Sequence, residues 1–294
     1  MLTNSVANTA CNNPVLPGFN MPVLNGQKSA FIWRFFISFC FFFCIAPTNT
    51  YAAATTNTAA CSTGNYQERV TVKRVIDGDT VILTDGRHIR LIGINTPEIR
   101  HDNRKPEIGA EQARDFLSRL LNTNKDLLLS YDDERTDHYG RTLAHLFLHD
   151  GTNIQSLMLK RGLATTFFIP PNLNYLECYQ ASMEYAQSHK IGLWALTQYQ
   201  PLSANSITAN DLGYHIISGK IKRIGESKSS IWINLTQNIA LRIARDDLQY
   251  FDKNYFQTLT GKQVIASGWI YFSKGGFWMR IRHPVDIKIT DASN

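Results

Sequence analysis

Short stretches of alternating apolar and polar residues between positions 68 and 94 predict three β-strands. The first strand is followed by Asp77-Gly78-Asp79, and the second runs into Asp85-Gly86, a dipeptide that favours a tight turn between antiparallel strands. In the third strand Arg90 shares a face with two isoleucines. Because an arginine that is only solvated rarely lies on such a face, we predict a functional site at this hairpin.

The third strand ends at Asn95-Thr96-Pro97-Glu98, where the proline restricts Thr96 to an extended conformation and places Glu98 on a loop. Hard cations such as calcium bind carboxylate, amide and backbone carbonyl oxygens. Asp79, Asn95 and the Thr96 carbonyl could supply these ligands for a hard cation. Taken alone, Asp77-Gly78-Asp79 is better explained as an ordinary polar turn. The neighbouring segments favour the site.

A second polar segment, Asp133 to Arg141, precedes a predicted strand at Thr142 to Leu148. Together the two segments contain Asp-Gly-Asp-Thr, Arg-x4-Asn-Thr-Pro-Glu and Arg-Thr-Asp-x-Tyr-Gly-Arg. Each piece is weak alone, but the spaced set is specific. It resembles the thermonuclease (staphylococcal nuclease-like) family, and the resemblance covers about residues 68–196.

The resemblance implies a role for each matched residue. In that family two arginines contact the scissile phosphate, a glutamate acts on the attacking water, and calcium binds an aspartate and a backbone carbonyl. These catalytic roles fall on Arg90, Arg141 and Glu98 in this sequence. The calcium-binding roles fall on Asp79 and Thr96.

The sequence differs from the family pattern at three places. Asn95 replaces a second calcium-binding aspartate, and His138 replaces a lysine beside the substrate-binding Tyr139. The segment from Phe167 to Pro171 lacks the hydroxyl groups of an aromatic pair that the family places near the scissile nucleotide. We expect these differences to affect calcium affinity and substrate contacts more than the reaction type.

Three later segments have apolar residues at helical spacing, and two more strands are predicted among them. The first helix contains the apolar set Ala113, Phe116, Leu117, Leu120 and Leu121. The second follows an Asn153 cap, and the third runs from about Asn174 to Lys190. Strands with helices between and after them predict an α+β fold. We expect an OB-like five-stranded β-barrel with three helices over residues 67–196.

The N-terminus is typical of an export signal. Residues 1–67 contain no acidic side chain, Phe31 to Pro47 is an apolar run, and Ala52-Ala53-Ala54 provides a small-residue cleavage site. Residues 1–54 are therefore predicted to be a cleaved signal peptide of a secreted or periplasmic protein, with Met21 as an alternative start. The alternative is a membrane anchor at residues 31–47, although a spanning helix needs about 20 apolar residues.

Cleavage after residue 54 leaves 294 − 54 = 240 residues and two of the five cysteines, Cys61 and Cys178. Cysteines of exported proteins often pair. The sequence does not decide between a disulfide and two free thiols, because it does not show whether the two residues meet. Residues 55–66 are rich in Asn, Thr, Ser and Ala, which predicts a flexible leader.

Residues 197–212 have a similar polar composition and predict a linker to a second domain at residues 213–290. The patterns there predict strands at 215–224, 230–235, 239–243, 263–272 and 277–282, with a helix at 246–259. Five strands with a helix between the third and fourth is the order of a small OB-like β-barrel, a module that often binds oligonucleotides.

The two predicted domains differ in charge. Residues 66–196 have 16 Lys and Arg against 17 Asp and Glu, or −1, whereas residues 197–294 have 12 against 7, or +5. In the last strand Trp278, Arg280 and Arg282 share one face. Aromatic and basic side chains together can hold single strands without sequence preference. An equally good explanation is a tryptophan that covers a neighbouring element and arginines that are solvated.

The sequence therefore predicts a secreted, calcium-dependent nuclease that hydrolyses phosphodiester bonds of DNA and RNA with little sequence preference. We expect a monomer without a protein partner. The residues predicted to contact substrate are His138, Tyr139, Trp278, Arg280 and Arg282. The alternative is a non-catalytic nucleic-acid-binding protein built on a nuclease-like barrel. Binding alone needs only positive charge, so the acids Asp79 and Glu98 argue against that alternative.

Overall fold

A computed structural model of the chain describes residues 61–62, 65–99 and 105–290. The predicted signal peptide, the alternative anchor at 31–47 and most of the predicted leader lie outside the described residues. Within the described ranges, none of the helices has the length and apolar character that a transmembrane span needs.

The N-terminal domain alternates short strands with helices. In chain order its elements are β1 (Glu68–Val75), β2 (Thr80–Leu83), β3 (His88–Leu91), β4 (Gly93–Asn95), α1 (Ala110–Thr123), β5 (Asp126–Ser130), β6 (Thr142–Phe147), α2 (Ile154–Lys160), β7 (Thr165–Phe167) and α3 (Leu176–Ser188). Five of these strands close into a barrel in the order β1-β2-β3-β6-β5, while β4 pairs with β7 outside it. The α+β fold with an OB-like barrel and helices is confirmed.

The barrel encloses an apolar core that continues under the helices. β3 and β6 run parallel and the other neighbouring strands of the barrel run antiparallel. Alternate side chains along each strand face inward, as expected for a pleated strand. The core residues with less than 1% exposure include Val81, Ile89, Leu91, Leu127, Leu129, Ala144 and Leu146 from the strands, and Leu117, Ile154 and Met158 from the helices.

Two glycines shape the hairpin that carries the first motif. Gly86 has a φ of +89°, as the turn after β2 requires, and the predicted hairpin is confirmed. Gly78 lies between the two aspartates, and a Cβ atom there would come within 2.7 Å of both Ala113 Cβ and Thr96 Cγ2. Only glycine therefore allows the motif to pack against α1 and the loop after β4.

A disulfide joins Cys61 to Cys178 across 117 positions of sequence. Cys178 is buried in α3, and Cys61 packs against the core of the barrel domain. The bond attaches the segment before β1 to the third helix. Of the two possibilities that the sequence left open, the structure has the paired form.

The C-terminal part of the chain forms a curled sheet, which we call the C-terminal sheet. Its strands are β8 (Leu202–Ser203), β9 (Gly213–Lys220), β10 (Arg223–Glu226), β11 (Ser230–Asn234), β12 (Ile239–Ala244), β13 (Gln263–Ser273), β14 (Gly276–Ile281) and β15 (Ile287–Thr290). The order is β10-β11-β12-β14-β13-β9-β8, with β15 also paired to β13. Its inner face has an apolar core of its own, which includes Ile217, Ile233, Leu241, Val264, Met279 and Ile281.

The α-helix predicted at 246–259 is wrong. The chain forms a 3-10 helix over Arg245–Tyr250 and then a series of turns. Asp252 is one cause, because its side chain accepts a hydrogen bond from the backbone N–H of Asn254 at 2.8 Å. Short polar side chains that bond to nearby backbone groups compete with helix formation.

The N-terminal domain and the C-terminal sheet pack together and belong to one compact unit. Trp194 and Ala186 of the first contact Ile216 of the second in a small buried cluster. The ring of Phe167 lies 4.6 Å from the ring of Trp269, in an edge-to-face arrangement. The segment predicted as a linker includes β8, which pairs with β9. The exact domain boundaries stay a prediction.

Candidate active site

Strand pairing brings the first motif together. Arg90 on β3 pairs with Thr80 on β2, and the N–H of Leu91 donates to the carbonyl of Asp79 at 2.8 Å. The Arg90 side chain is therefore placed directly beside the Asp79 carboxylate. The spacing of the two residues in the hairpin, read from the sequence, is enough to account for this contact.

The Arg90 guanidinium is held by three acceptors. Its Nη2 lies 3.0 Å from Asp79 Oδ2 and donates to Asn95 Oδ1 at 3.2 Å, and its Nη1 donates to the Leu91 carbonyl at 2.7 Å. The side chains of Arg90 and Asp79 are 13% and 4% exposed. A guanidinium fixed in this way can present its remaining N–H groups to an anion without reorganisation.

The loop after β4 brings Asn95, Thr96 and Glu98 to the same place. β4 is anchored to β7, with Asn95 paired to Thr165, and the N–H of Thr96 donates to Asp79 Oδ2 at 3.0 Å. The Asn95 Nδ2 donates to the Thr96 carbonyl at 3.2 Å, while its Oδ1 accepts from Arg90. Both ends of the Asn95 amide are therefore used within the site.

Three carboxylates meet at the end of the hairpin. Burial, followed by the charge of Asp79, raises the pKa of Asp77 to about 7. Glu98 is exposed as a residue, yet desolvation of its carboxylate and the charge of Asp79 raise its pKa, against the opposing effects of Arg90 and Arg141. Desolvation is the larger cause of both shifts, and the negative charge of Asp79 adds to it in each case.

Arg141 reaches the site from the loop before β6, where Asp137 holds it. Burial opposes ionisation of Asp137, but hydrogen bonds from Arg141 outweigh it and lower the pKa of Asp137. Asp137 Oδ2 accepts from Arg141 Nε at 2.7 Å, and Oδ1 accepts from the N–H of Arg141 at 2.9 Å and of Tyr139 at 3.0 Å. The carboxylate thus fixes both the turn and the guanidinium.

These groups line one cavity of about 500 Å³. Arg90, Glu98 and Arg141 border it, together with Asn95, Asp137, His138, Phe167, Ile169 and Asn172. Tyr139 is 74% exposed, and its ring contacts His138 and lies under Arg141. The two motif segments, separated by 133 − 98 = 35 positions in sequence, therefore meet around a single space.

The donor atoms fit a hard cation. Within the described ranges, no cluster of three His, Cys, Asp or Glu side chains has metal-binding geometry. The oxygens of Asp77, Asp79 and the Thr96 carbonyl are nevertheless of the type that calcium prefers. A cation beside them would counter the negative charge of Asp79, which adds to burial in raising the pKa of Asp77.

The three residues of the C-terminal sheet that were predicted to contact substrate each have a neighbour within the protein. Arg280 forms an ion pair with Asp247 at 3.0 Å, so its charge is already balanced. Arg282 lies over the ring of Phe167, with its Cζ 5.9 Å from the ring centroid. Trp278 packs edge-to-face with Trp232, at 4.7 Å between ring centroids.

Several residues of this region were not singled out from the sequence. Asp137 could have been found, because it precedes Arg141 by four positions and stands where a turn aspartate is expected. In the sequence, Phe167 is distinguished only by the lack of a hydroxyl group that the aromatic pair of the family carries. Nothing in the sequence placed Trp269 or Arg282 beside it, because their proximity depends on how the two parts of the chain pack.

Comparisons with known proteins agree with this geometry. Residues 88–196 match the family model described as staphylococcal nuclease homologue. The thermonuclease of Staphylococcus intermedius is 39% identical over 137 residues, which cover 45% of this chain and 80% of the relative. The thermonuclease of Staphylococcus hyicus is 38% identical over 132 residues, 44% of this chain and 77% of the relative. Endonuclease YncB of Bacillus subtilis (strain 168) is 33% identical over 135 residues, 44% of this chain and 63% of the relative.

The class of this protein is defined by its OB-like barrel and by the two arginines and the glutamate that border one cavity. The chain is a member of the staphylococcal nuclease family. The family model ends at residue 196, before the C-terminal sheet begins.

Proposed function

We propose that this protein is an exported, calcium-dependent nuclease that hydrolyses DNA and RNA phosphodiester bonds with little sequence preference. Nuclease activity follows from the family, whose named relatives are thermonucleases and endonucleases. The observation that carries the proposal for this chain is the meeting of Arg90, Glu98 and Arg141 around one cavity.

The two arginines are suited to bind the phosphate at which the reaction occurs. Attack on a phosphodiester builds negative charge on the equatorial oxygens, and positive groups already in position stabilise that charge. Arg90 is fixed by Asp79 and Asn95, and Arg141 is fixed by Asp137. The planar guanidinium matches two phosphate oxygens, so each arginine can bind in a bidentate manner.

Glu98 is suited to accept the proton of the attacking water. Its pKa is raised by desolvation and by Asp79, which makes the carboxylate a stronger base than an ordinary glutamate. The water oxygen forms a bond to phosphorus while its proton passes to Glu98. One P–O ester bond breaks, and the departing oxygen keeps the electron pair and takes up a proton from solvent. A residue that only bound substrate would gain nothing from a negative charge at this position.

Calcium is proposed to bind Asp79 and the Thr96 carbonyl, with Asn95 close to it. When bound it would supply positive charge at the phosphate. The exposed Tyr139 and His138 lie at the rim formed by the second motif, where they can contact the nucleotide next to the cleaved bond. None of these proposed contacts distinguishes one base from another, which is consistent with broad specificity.

Export is supported by the sequence of residues 1–54 and by the disulfide between Cys61 and Cys178. Disulfides form and persist in oxidising compartments and are rare in the cytosol. All the residues proposed for the site belong to one chain, so we propose that the enzyme acts as a monomer. Sedimentation of the mature protein checks this point.

Digestion of single- and double-stranded DNA and RNA, with calcium or with a chelator, tests the proposal. Wild-type protein should degrade all of these substrates with calcium and lose activity with the chelator. Glu98→Gln should lower kcat by about 10²-fold or more with a much smaller change in KM, because the base acts in the transition state. Glu177→Gln is a matched control on the surface of α3 and should leave activity unchanged.

Two results would contradict the proposal. Substrate that is bound but never cleaved by the wild-type protein would favour the non-catalytic alternative. Full activity in the presence of the chelator would remove calcium from the mechanism while leaving the nuclease assignment intact.

A further inference from the structure

The catalytic cavity and a second cleft share one side chain, Phe167. The second cleft has a volume of about 440 Å³ and lies between the N-terminal domain and the C-terminal sheet. It is lined by Phe167 from one side and by Trp269, Tyr271, Arg242, Arg280 and Arg282 from the other. Phe167 therefore lies between the catalytic cavity and the cleft on the sheet.

Aromatic rings form a row along the outer face of the sheet beyond this junction. Trp269 and Tyr271 lie two positions apart on β13, so their side chains point to the same face of the sheet. The Tyr271 ring lies 5.8 Å from that of Trp278 on β14, and Trp278 lies 4.7 Å from Trp232 on β11. All four residues are partly exposed, whereas the neighbours on the opposite face, such as Met279, are buried. The apolar core of the sheet therefore does not account for them.

Three guanidinium groups lie among these rings. Arg242 is positioned by Ser230, whose Oγ accepts from its Nε at 2.8 Å, and its Cζ lies 5.9 Å from the centroid of the Trp232 ring. Arg280 is paired with Asp247. Arg282 differs from both, because its guanidinium has no hydrogen bond or ion pair to any residue that the structure describes.

Arg282 lines the second cleft, and its Cζ lies 5.9 Å from the ring centroid of Phe167, which also borders the catalytic cavity. The group is partly buried, and desolvation together with the charge of Arg280 lowers its pKa, against the opposing charges of Asp247 and Asp286. Because the Arg282 guanidinium has no hydrogen-bond partner among the described residues, its N–H groups are available to an anion in the cleft. The C-terminal part of the chain, with its net charge of 12 − 7 = +5, has the matching sign for nucleic acid.

We propose that the outer face of the C-terminal sheet, from Trp269 to Trp232, binds a single strand of DNA or RNA that extends from the catalytic cavity past Phe167. Arg282 and Arg242 contact its phosphates, and Trp278 and Trp232 stack on its bases. One part of this inference rests on the proposed nuclease function, namely that the bound strand starts in the catalytic cavity. The binding itself does not depend on hydrolysis.

A single strand fits this face better than a duplex. Stacking on aromatic side chains requires bases that are not already paired and stacked in a helix, and it tolerates any sequence. The face would therefore favour long, single-stranded regions and hold the polymer between successive cleavages. It would also explain why a sheet with an excess of positive charge is joined to a domain that already contains a complete cleavage site.

Binding is measured with the full chain carrying Glu98→Gln, so that the probe is not degraded. The probes are fluorescein-labelled oligothymidylates of about 4 and about 16 nucleotides, which bracket the usual site size of one OB-type module. We expect the long probe to bind at least about tenfold more tightly than the short one. Trp278→Ala and Arg282→Gln, each added to Glu98→Gln, should weaken binding of the long probe by about 5- to 30-fold.

Arg245→Gln is the matched control. Arg245 belongs to the same sheet region and pairs with Glu226 on the exposed surface, so the substitution removes the same charge from a guanidinium that already has a partner. It should change affinity by less than about twofold, because an exposed ion pair contributes little. Arg282→Gln should also reduce the slope of log Kd against log salt concentration by about 0.7, the value for one phosphate contact of a single strand.

The outcomes separate this inference from the proposed function. Equal affinity for the two probes, or equal effects of Arg282→Gln and Arg245→Gln, would overturn it. A duplex of about 16 base pairs that loses as much affinity as the single strand on Trp278→Ala would overturn the stacking. If the probes bind as expected but the wild-type chain cleaves no substrate, the nuclease function fails and the binding face stands. Arg282→Gln keeps most of the side chain, and thermal melting verifies that each variant is folded.

Discussion

The Nη2 atom of Arg90 lies 3.0 Å from the Oδ2 atom of Asp79, so a residue proposed to bind the phosphate is held by a residue proposed to bind the metal ion. Both side chains are almost inaccessible to solvent, and the same oxygen also accepts the N–H of Thr96. The two functions of the site are therefore coupled through one carboxylate. Changing either residue disturbs both.

This coupling predicts non-additive effects of substitution. Arg90→Lys should lower kcat by about 10²-fold, because a lysine cannot present two parallel N–H donors to a phosphate. Asp79→Asn should lower it as well, and the double variant should lose less than the product of the two single effects, as for residues in direct contact. Steady-state kinetics of the three variants measures this. Arg87→Lys, in the turn before β3, is the control and should retain activity. Strict additivity would show that the pair is not coupled in the reaction.

Asp137 is predicted to be a positioning residue that acts through Arg141. Asp137→Ala removes the acceptor of the Arg141 Nε and of two backbone N–H groups, and should lower kcat by about tenfold or more with a smaller change in KM. Asp137→Asn retains an oxygen for the backbone donors and should recover part of the loss. Asp150, whose carboxylate accepts from the N–H of the turn residue Thr152 at 2.9 Å, provides the control variant Asp150→Ala. Equal losses for Asp137→Ala and Asp150→Ala would point to a general effect on turns.

Asn95 is predicted to weaken calcium binding. An aspartate here would add a negative charge to the site, and ligand charge is one determinant of calcium affinity. It would also remove the N–H donor that now occupies the Thr96 carbonyl at 3.2 Å. Asn95→Asp should therefore lower the calcium concentration needed for half-maximal activity, while Asp79→Asn should raise it sharply or abolish activity. Calorimetric titration with calcium gives a second readout. Identical midpoints for wild type and Asn95→Asp would exclude residue 95 from the metal site.

Asp286 is predicted to make the protein less stable as the pH rises from about 4 to about 6. Burial raises the pKa of Asp286 to about 6, although the N–H groups of Arg282 and His283 donate to its carboxylate. A raised folded-state pKa means that the folded protein binds the proton more tightly than the unfolded chain, whose Asp pKa is about 3.9. The stabilisation is complete below the unfolded pKa and is lost as the pH passes the folded pKa. The loss is of the order of 2–3 kcal/mol.

Asp286→Asn tests this pH dependence, because the amide oxygen can accept the same two hydrogen bonds. The free energy of unfolding of the variant, from urea titrations at several pH values, should vary less with pH in this window than that of wild type. Asp252→Asn, at an exposed turn of the same sheet region, should leave the wild-type pH dependence unchanged. Parallel curves for wild type and Asp286→Asn would show that Asp286 titrates normally.

The sequence by itself determined the local features of this protein. The hairpin at Asp85-Gly86, the cap at Asn153 and the α+β order of elements depend on neighbouring residues, and all are present in the structure. The Asp79–Arg90 contact is equally local, because the two residues face each other across one hairpin. Features of this kind are fixed by turn chemistry and by strand periodicity, which short-range sequence patterns report directly.

Only the tertiary structure decided the features that join distant segments. The pairing of Cys61 with Cys178, the ion pair of Arg280 with Asp247 and the contact of Phe167 with Trp269 all link residues far apart in the chain. The predicted helix at 246–259 failed for a related reason. Its apolar residues have helical spacing, but they pack as turns against the C-terminal sheet. Apolar side chains gain from burial whichever backbone presents them, so the neighbours that bury them select the conformation, and those neighbours are supplied by the fold.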